Sequence, residues 1–257
     1  MSQPPLLSIQ NLYVRFQTYS GVVRAVNGMT FDVNKGEVFG LVGESGCGKS
    51  VTGYAVLRMV PHPGEIQQGS ILFQGENLLE AAEADMREVR GGRIAMIFQD
   101  PSASLNPVFT VGNQATRVVR QHVNVGKSEA RRLTLEMFDA VGLPDPARVF
   151  GSYPHELSGG MKQRIMIAMA LSCGAELLIA DEPSTALDVT IQAQILALLS
   201  DLCQSQGVSI LLITHDLGVV AETCNRVGVA YAGSIVEMGA ADDVLYRMKH
   251  PYTLGLL

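Results

Sequence analysis

Nine consecutive residues, Gly43-Glu44-Ser45-Gly46-Cys47-Gly48-Lys49-Ser50-Val51, bring together the groups that phosphate chemistry asks of a short loop. Gly43, Gly48, Lys49 and Ser50 fit the spacing G-x-x-x-x-G-K-[ST], in which backbone N–H groups wrap around nucleotide phosphates. Glycines at 43, 46 and 48 admit backbone conformations that a Cβ forbids and let the chain approach the phosphates closely. The helix that follows offers bare N–H groups and a positive dipole end. Lys49 is expected to reach the β- and γ-phosphates. Ser50 is expected to hold Mg²⁺ through its hydroxyl, because a small hard cation takes oxygen ligands and shares them with substrate phosphates. A glycine turn with a chance lysine is the alternative, and the strand-loop-helix setting of the match outweighs it.

Three further stretches carry polar groups at the ends of apolar runs. Ile94 to Phe98 read as a buried strand ending in Gln99-Asp100-Pro101, where proline forbids continuation in the sheet. Open α/β sheets put ligand contacts at such strand ends, so Gln99 is a candidate for sensing Mg²⁺ or an attacking water. Leu177 to Ala180 form a continuous apolar run suited to a strand covered on both faces, and it stops abruptly at Asp181-Glu182. Adjacent carboxylates can divide the labour, Asp181 toward Mg²⁺ through its water shell and Glu182 toward the water that attacks a γ-phosphate. Ile210 to Ile213 end in Thr214-His215-Asp216, and a histidine there can donate to a γ-phosphate oxygen. A fourth stretch, Leu157-Ser158-Gly159-Gly160-Met161-Lys162-Gln163-Arg164, places an N-cap serine before two glycines and so makes a second anion site at a helix N-terminus, or a simple cap.

The elements that must position these groups alternate between strand and helix patterns. Leu7, Ile9, Leu12, Val14 and Phe16 read as a strand with a bulge at Gln10 and Asn11. Val23 to Val33 give a second strand region, turned by Asn34-Lys35-Gly36 into the Val38 to Val42 strand, and these early strands form an antiparallel flap. Tyr19 beside them is either a stacking platform for an adenine ring or an ordinary half-buried loop tyrosine. Thr52 to Met59 read as a helix, Pro61 to Gln68 as punctuation, Ser70 to Phe73 as a short strand and Glu80 to Glu88 as an acidic helical patch. From Val111 to Val141 the periodicity is helical, broken at Asn124 to Lys127, which marks a helical insertion. Met161, Met166 and Met169 are expected as gap-filling core residues. Ser184 to Asp188 are expected as a tight loop capping a helix from Val189 to Gln204, with Ile191, Ile195, Leu198 and Leu202 on one face. His122 and His155 have no ligand-spaced partners and read as surface or packing residues.

Composition narrows the classes. A chain of 257 residues can bury a full core, as one large α/β domain or two smaller ones. Its four cysteines lack a C-x-x-C pair or a zinc-spaced histidine, which points to a reducing setting without disulfides or a metal. The start lacks a signal-peptide pattern, and no apolar run approaches the roughly 18 residues that span a bilayer. A net charge of −6 argues against an electrostatic grip on nucleic acid.

Taken in order, the motifs resemble those of the ATP-binding-cassette (ABC) ATPases over essentially the whole chain. Gly43 to Ser50 match the Walker A loop, Gln99 the Q-loop, Leu157 to Gln163 the signature motif, and Leu177 to Glu182 the Walker B strand with its catalytic glutamate. His215 matches the switch histidine, and Ser184 to Asp188 resemble the D-loop. The signature motif excludes GTPases, kinases and recombinases, which share only the phosphate loop. The resemblance implies an α/β fold of the P-loop NTPase, RecA-like class, with a mainly parallel sheet, an N-terminal antiparallel β flap and a helical insertion subdomain. It implies a single domain over 1–257, with 1–98 and 165–257 as the core and about 99–164 as the helical subdomain. It also implies ATP and Mg²⁺. Lys49, Gln99, Glu182 and His215 would act in catalysis, Ser50, Gln99 and Asp181 at the metal, and Gly43 to Val51, Tyr19, Ser158, Gly159, Gly160 and Asp188 around the nucleotide. Two subunits, identical or paralogous, would sandwich two ATP molecules head to tail, Ser158 and Gly160 of one reaching the γ-phosphate held by the other's Lys49.

Finer similarity points to the peptide/nickel branch of importers: Met96-Ile97-Phe98-Gln99-Asp100-Pro101, Ser104-Leu105-Asn106-Pro107, Tyr153-Pro154-His155-Glu156, Asp216-Leu217-Gly218-Val219-Val220 and His250-Pro251-Tyr252-Thr253. This branch implies transmembrane permease subunits as partners, an extracytoplasmic solute-binding protein acting indirectly, no nucleic acid, and a peripheral place on the cytoplasmic face of the inner membrane. Members often carry a later cysteine cluster suited to an iron-sulfur centre; this chain stops at Leu257, and no cluster is expected. The rivals are a soluble cassette of DNA repair or translation, whose heptad insertions or paired cassettes are absent here, and an exporter cassette, usually fused to apolar spans. A degenerate, non-hydrolysing regulator conflicts with the occupied catalytic positions.

Overall fold

Alternating apolar residues fold the start of the chain into β1 (Leu7–Thr18), and the slip at Gln10 and Asn11 is a bulge: the register shifts between Ile9 and Leu12 and Asn11 takes φ +48°. The computed structural model describes residues 4–184 and 187–256, so the expected loop from Ser184 to Asp188 lies partly outside the described residues, at Thr185 and Ala186. Two units emerge, one made of Met1–Arg87 with Cys203–Leu257 and the other of Glu88–Leu202.

In the first unit β1 pairs antiparallel with β2 (Gly21–Val33), which runs through the expected turn at Gly36 into β3 (Val38–Val42) and α1 (Lys49–Val56). β4 (Gly64–Phe73) pairs along the other edge of β1, and β5 (Glu76–Asn77) and α2 (Glu83–Glu88) follow. The antiparallel flap is therefore a four-stranded sheet in the order β2-β1-β4-β5. Here the sequence reading needs correction, because residues 64–68 are strand and not punctuation. Gly64 pairs with Phe16 and Ile66 with Val14, so the free edge of β1 recruits a segment whose own pattern is polar.

The second unit begins with β6 (Ile94–Ile97), all four residues buried, followed by α3 (Pro101–Ser104), α4 (Val111–His122), α5 (Lys127–Ala140), α6 (Pro146–Gly151) and α7 (Gly159–Leu171). The helical break falls between His122 and Lys127 as the sequence indicates. β7 (Leu177–Asp181) is buried throughout and pairs parallel with β6, and α8 (Val189–Gln206) comes next. The methionines of α7 are only half-buried, a second correction. From Ile165 to Leu171 the helix is apolar on every side, and Ile165, Ile167, Ala168 and Leu171 take the core positions instead. On α8 the buried stripe is Ile195, Leu196, Leu199 and Leu202, which leaves Ile191 and Leu198 half-buried. His122 and His155 behave as packing and surface residues: the ring of His122 sits over Gly91, and exposed His155 stacks on Tyr153 at 5.6 Å.

The chain returns to the first unit with β8 (Ser209–Thr214), α9 (Leu217–Thr223), β9 (Arg226–Tyr231), β10 (Ser234–Ala240), α10 (Ala241–Tyr246) and α11 (Pro251–Leu256). β3 lies between β8 and β9, parallel to both, and β10 adds antiparallel to β9. All five residues of β3 are buried, as its uninterrupted apolar run demands. The architecture is the α/β class expected, with parallel pairing around the phosphate-loop strand and an antiparallel flap. The four cysteines are free, and burial pushes the Cys224 thiol up to about 12 and raises those of Cys173 and Cys203. A raised thiol keeps its proton at neutral pH and so is disfavoured as a nucleophile.

Gly69 of β4 has φ +111°, and a Cβ there would lie 2.6 Å from the Asn11 carbonyl oxygen at the bulge. Gly69→Ala is therefore expected to lower stability by about 1–3 kcal/mol in urea unfolding; an unchanged midpoint would show that the bulge yields freely.

Candidate functional site

The Gly43 to Ser50 loop leaves the end of β3 and is gripped by neighbouring backbone. A Cβ on Gly43 (φ +150°) would lie 2.2 Å from the Ala230 carbonyl oxygen, and one on Gly48 (φ +99°) 2.2 Å from that of Ala25. Nothing but glycine fits at either place. The loop tip at Glu44, Ser45 and Gly46 is exposed, whereas Cys47, Gly48 and Lys49 are buried and Ser50 and Val51 half-buried. Lys49 is 5 % exposed, and its ammonium donates to the carbonyl oxygens of Gly43 at 2.7 Å and Glu44 at 2.9 Å, with the Cys47 sulfur at 3.7 Å. These acceptors satisfy the ammonium's donors without cancelling its charge, so a positive charge sits beneath the exposed loop tip of Glu44, Ser45 and Gly46. Lys49 and Ser50 open α1, whose dipole adds to that field.

β8 runs beside β3 with Thr214 opposite Val42, so His215 follows its strand at the same end as the loop. It is exposed, and Asp216 behind it caps α9 by accepting from the Gly218 and Val219 amides at 2.8 and 3.3 Å. Tyr19 stands fully exposed in the turn between β1 and β2, not half-buried.

In the other unit the parallel pairing of Ile97 with Ala180 brings the two polar strand ends together. The Gln99 side-chain amide donates to a Glu182 carboxylate oxygen at 2.8 Å. Asp181 is 2 % exposed and Glu182 half-buried, so the adjacent carboxylates meet different surroundings. Glu182 has φ +47°, a left-handed conformation that costs a residue with a side chain about 1–3 kcal/mol and concentrates at functional sites. Ser158 caps α7, its hydroxyl oxygen accepting from the Met161 amide at 3.3 Å, and Ser158 and Gly159 are exposed. Gly160 is buried: a Cβ would meet the Ile191 methyl at 2.7 Å, so this glycine also lets the start of α7 pack closely on α8. Asp188 accepts from the Ile191 amide at 3.0 Å and caps α8.

Sequence reasoning missed the groups that brace the phosphate loop from behind. The Gly233 amide donates to the Cys47 carbonyl at 3.0 Å, and the Glu44 amide donates to the Tyr252 hydroxyl at 3.0 Å. No local signal marks either, since Tyr252 lies 208 residues from Glu44.

Among known proteins, the family model described as ABC transporter matches residues 26–185. A dipeptide transport ATP-binding protein, DppD of Bacillus subtilis (strain 168), is 51 % identical over 98 % of this chain and 76 % of its own length. A probable peptide ABC transporter ATP-binding protein of Sinorhizobium fredii, y4tR, is 55 % identical over the same shares. Among solved structures, a dimeric bacterial ABC transporter cassette superposes with a TM-score of 0.80 at 22 % identity, covering 91 % of this chain and 98 % of its own. The cbiO1 protein of Clostridium perfringens, part of the cbiONQ complex, gives 0.81 at 24 % identity over 95 % and 92 %. At those identities the structures establish the fold.

The Ser158 cap is separable from any ligand. Ser158→Ala is expected to cost about 1 kcal/mol in urea unfolding and Ser158→Asp, which keeps an acceptor, much less; equal effects would deny the cap a role.

Proposed function

Because the chain belongs to the ABC transporter family of ATP-binding proteins, we propose that it is the ATP-hydrolysing subunit that energises import of peptides through a membrane transporter. The observation that carries this reading is the buried Lys49 ammonium, which donates to the Gly43 and Glu44 carbonyls and the Cys47 sulfur at the root of a glycine loop whose tip, Glu44 to Gly46, is exposed. Such a cradle is complementary to a polyphosphate and to little else. The names of the relatives, which are dipeptide and peptide transport proteins, support the importer branch over repair, translation or export cassettes.

In this reading Gly43, Glu44, Ser45, Gly46, Cys47, Gly48, Ser50 and Val51 hold the phosphates of ATP and Lys49 neutralises charge on the β- and γ-groups. Water attacks the γ-phosphorus, the bond to the β–γ bridging oxygen breaks, and ADP leaves. Glu182 orients that water and takes its proton, and its contact with Gln99 fixes the carboxylate before substrate arrives. His215 donates a hydrogen bond to a γ-phosphate oxygen. The donors assigned to Mg²⁺, Ser50, Gln99 and Asp181, are all oxygen ligands, which fits a hard cation that completes its shell with water and substrate phosphate. The ion would offset charge developing on the phosphoryl oxygens. Tyr19 is placed at the adenine.

The exposed cap at Ser158 and Gly159, with Gly160 and Asp188, is assigned to the nucleotide of a second cassette, identical or paralogous, in a head-to-tail dimer. We assign residues 99–164 to a helical subdomain that transmits the resulting closure to permease subunits. The protein would then lie on the cytoplasmic face of the inner membrane, served indirectly by an extracytoplasmic binding protein. No helix among the described residues is long and apolar enough to cross a membrane.

Glu182→Gln keeps the shape of the side chain but cannot take a proton, so turnover is expected to fall by about 10² to 10⁴ while ATP binding persists and ATP traps a dimer. ATPase assays with size-exclusion chromatography check this, and turnover at the parental rate would remove Glu182 from its role.

A further inference from the structure

The peptide plane that joins Gly43 to Glu44 is engaged at both of its polar ends. Its carbonyl accepts from the Lys49 ammonium at 2.7 Å, and its N–H donates to the Tyr252 hydroxyl at 3.0 Å. In a planar trans peptide these groups point in opposite directions, so fixing one end fixes the orientation of the other. Tyr252 is itself held firmly. Its ring meets that of Tyr231 at 4.4 Å and packs on the core cluster containing Val42, the last residue before the loop. Its amide donates to His250 Nδ1 at 3.2 Å, and the Glu237 carboxylate accepts from the Lys249 and His250 amides at 2.8 and 3.1 Å. Burial raises the Tyr252 phenol, so the group is neutral at physiological pH and its oxygen is free to accept. A chain of contacts therefore runs from Glu237 on β10, through residues 249–252, to the acceptor of the Lys49 ammonium.

We propose that Tyr252 is a positioning residue for the phosphate loop: its hydroxyl sets the Gly43–Glu44 peptide plane, and through the carbonyl of that plane it sets the Lys49 ammonium where a phosphate will meet it. The proposal rests on the ATPase reading given above. A loop whose peptide plane is set in advance spends less of its phosphate-binding energy on ordering itself, so the hydroxyl favours affinity. Once ATP is bound, the phosphates hold the loop themselves, and turnover at saturation no longer depends on Tyr252.

The test compares the parent chain with Tyr252→Phe and Tyr252→Ala, using ATP with Mg²⁺ for equilibrium binding and steady-state hydrolysis. Phenylalanine keeps the ring against Tyr231 and the core and removes only the hydroxyl. One hydrogen bond of ordinary strength predicts that Tyr252→Phe raises Kd and KM for ATP by about 3- to 10-fold, with kcat within about twofold and the melting temperature without nucleotide unchanged. If Tyr252→Phe matches the parent in Kd and KM while Tyr252→Ala is impaired, the ring acts by packing alone and the proposal is overturned. A fall in kcat at unchanged KM would overturn it as well. Failure of the parent itself to bind ATP would instead overturn the ATPase reading, so the two failures are distinguishable.

Discussion

A full positive charge, that of Lys49, sits 5 % exposed and is held by two backbone carbonyls. Burying a charge is costly unless its hydrogen bonds are made, and among the described residues the ammonium's partners are the two carbonyls and the Cys47 sulfur, not a carboxylate. The surrounding structure is organised to make that arrangement possible. The carbonyls of Gly43 and Glu44 can face the ammonium only because Gly43 and Gly48 let the loop press against the Ala230 and Ala25 carbonyls, at places where any side chain would collide. The result is a site whose own donors are satisfied and whose charge is not, which is the condition for binding an anion tightly and releasing it after its charge has been divided.

The second unit carries a different kind of preparation. At Glu182 the backbone takes a left-handed conformation at the end of a fully buried strand, and the carboxylate is met by Gln99 from the neighbouring strand end. The strain is tolerated because Leu177 to Asp181 are buried and Leu177 to Ala180 are paired with β6, which leaves the chain no cheaper exit from the sheet. Each unit thus presents polar groups at the ends of buried parallel strands, the general location of ligand contacts in open α/β sheets.

How much of this is legible in the sequence depends on the range of the interaction. The phosphate loop, the Ser158 cap and the abrupt ends at Gln99 and Asp181 are written locally, since the residue types required are neighbours in the chain. The bulge at Asn11 is visible as a slip in the alternation. The first half of β4 is not, because residues 64–68 become a strand only through the unpaired edge of β1. The methionines of α7 mislead for a related reason: the stretch from Ile165 to Leu171 is apolar on every side and gives no periodicity from which to choose its inner face. Tyr252 appears in the sequence only as part of His250-Pro251-Tyr252-Thr253, a resemblance without a mechanism, and its partner lies 208 residues away. Gly160 shows the opposite case, where a residue type read for an anion site is also required by packing against Ile191.

The most direct measurement is the affinity of the 257-residue chain for ATP with Mg²⁺, compared with that of Lys49→Ala, at constant ionic strength. Removing the ammonium deletes the loop's positive charge and its charge-assisted contacts with the β- and γ-phosphates, so Kd is expected to rise by about 10- to 100-fold or more. The unliganded fold should persist, since the ammonium's acceptors are carbonyls that water can reach once the side chain is gone. Equal affinity of the two proteins for ATP would contradict the assignment of this loop as the nucleotide site.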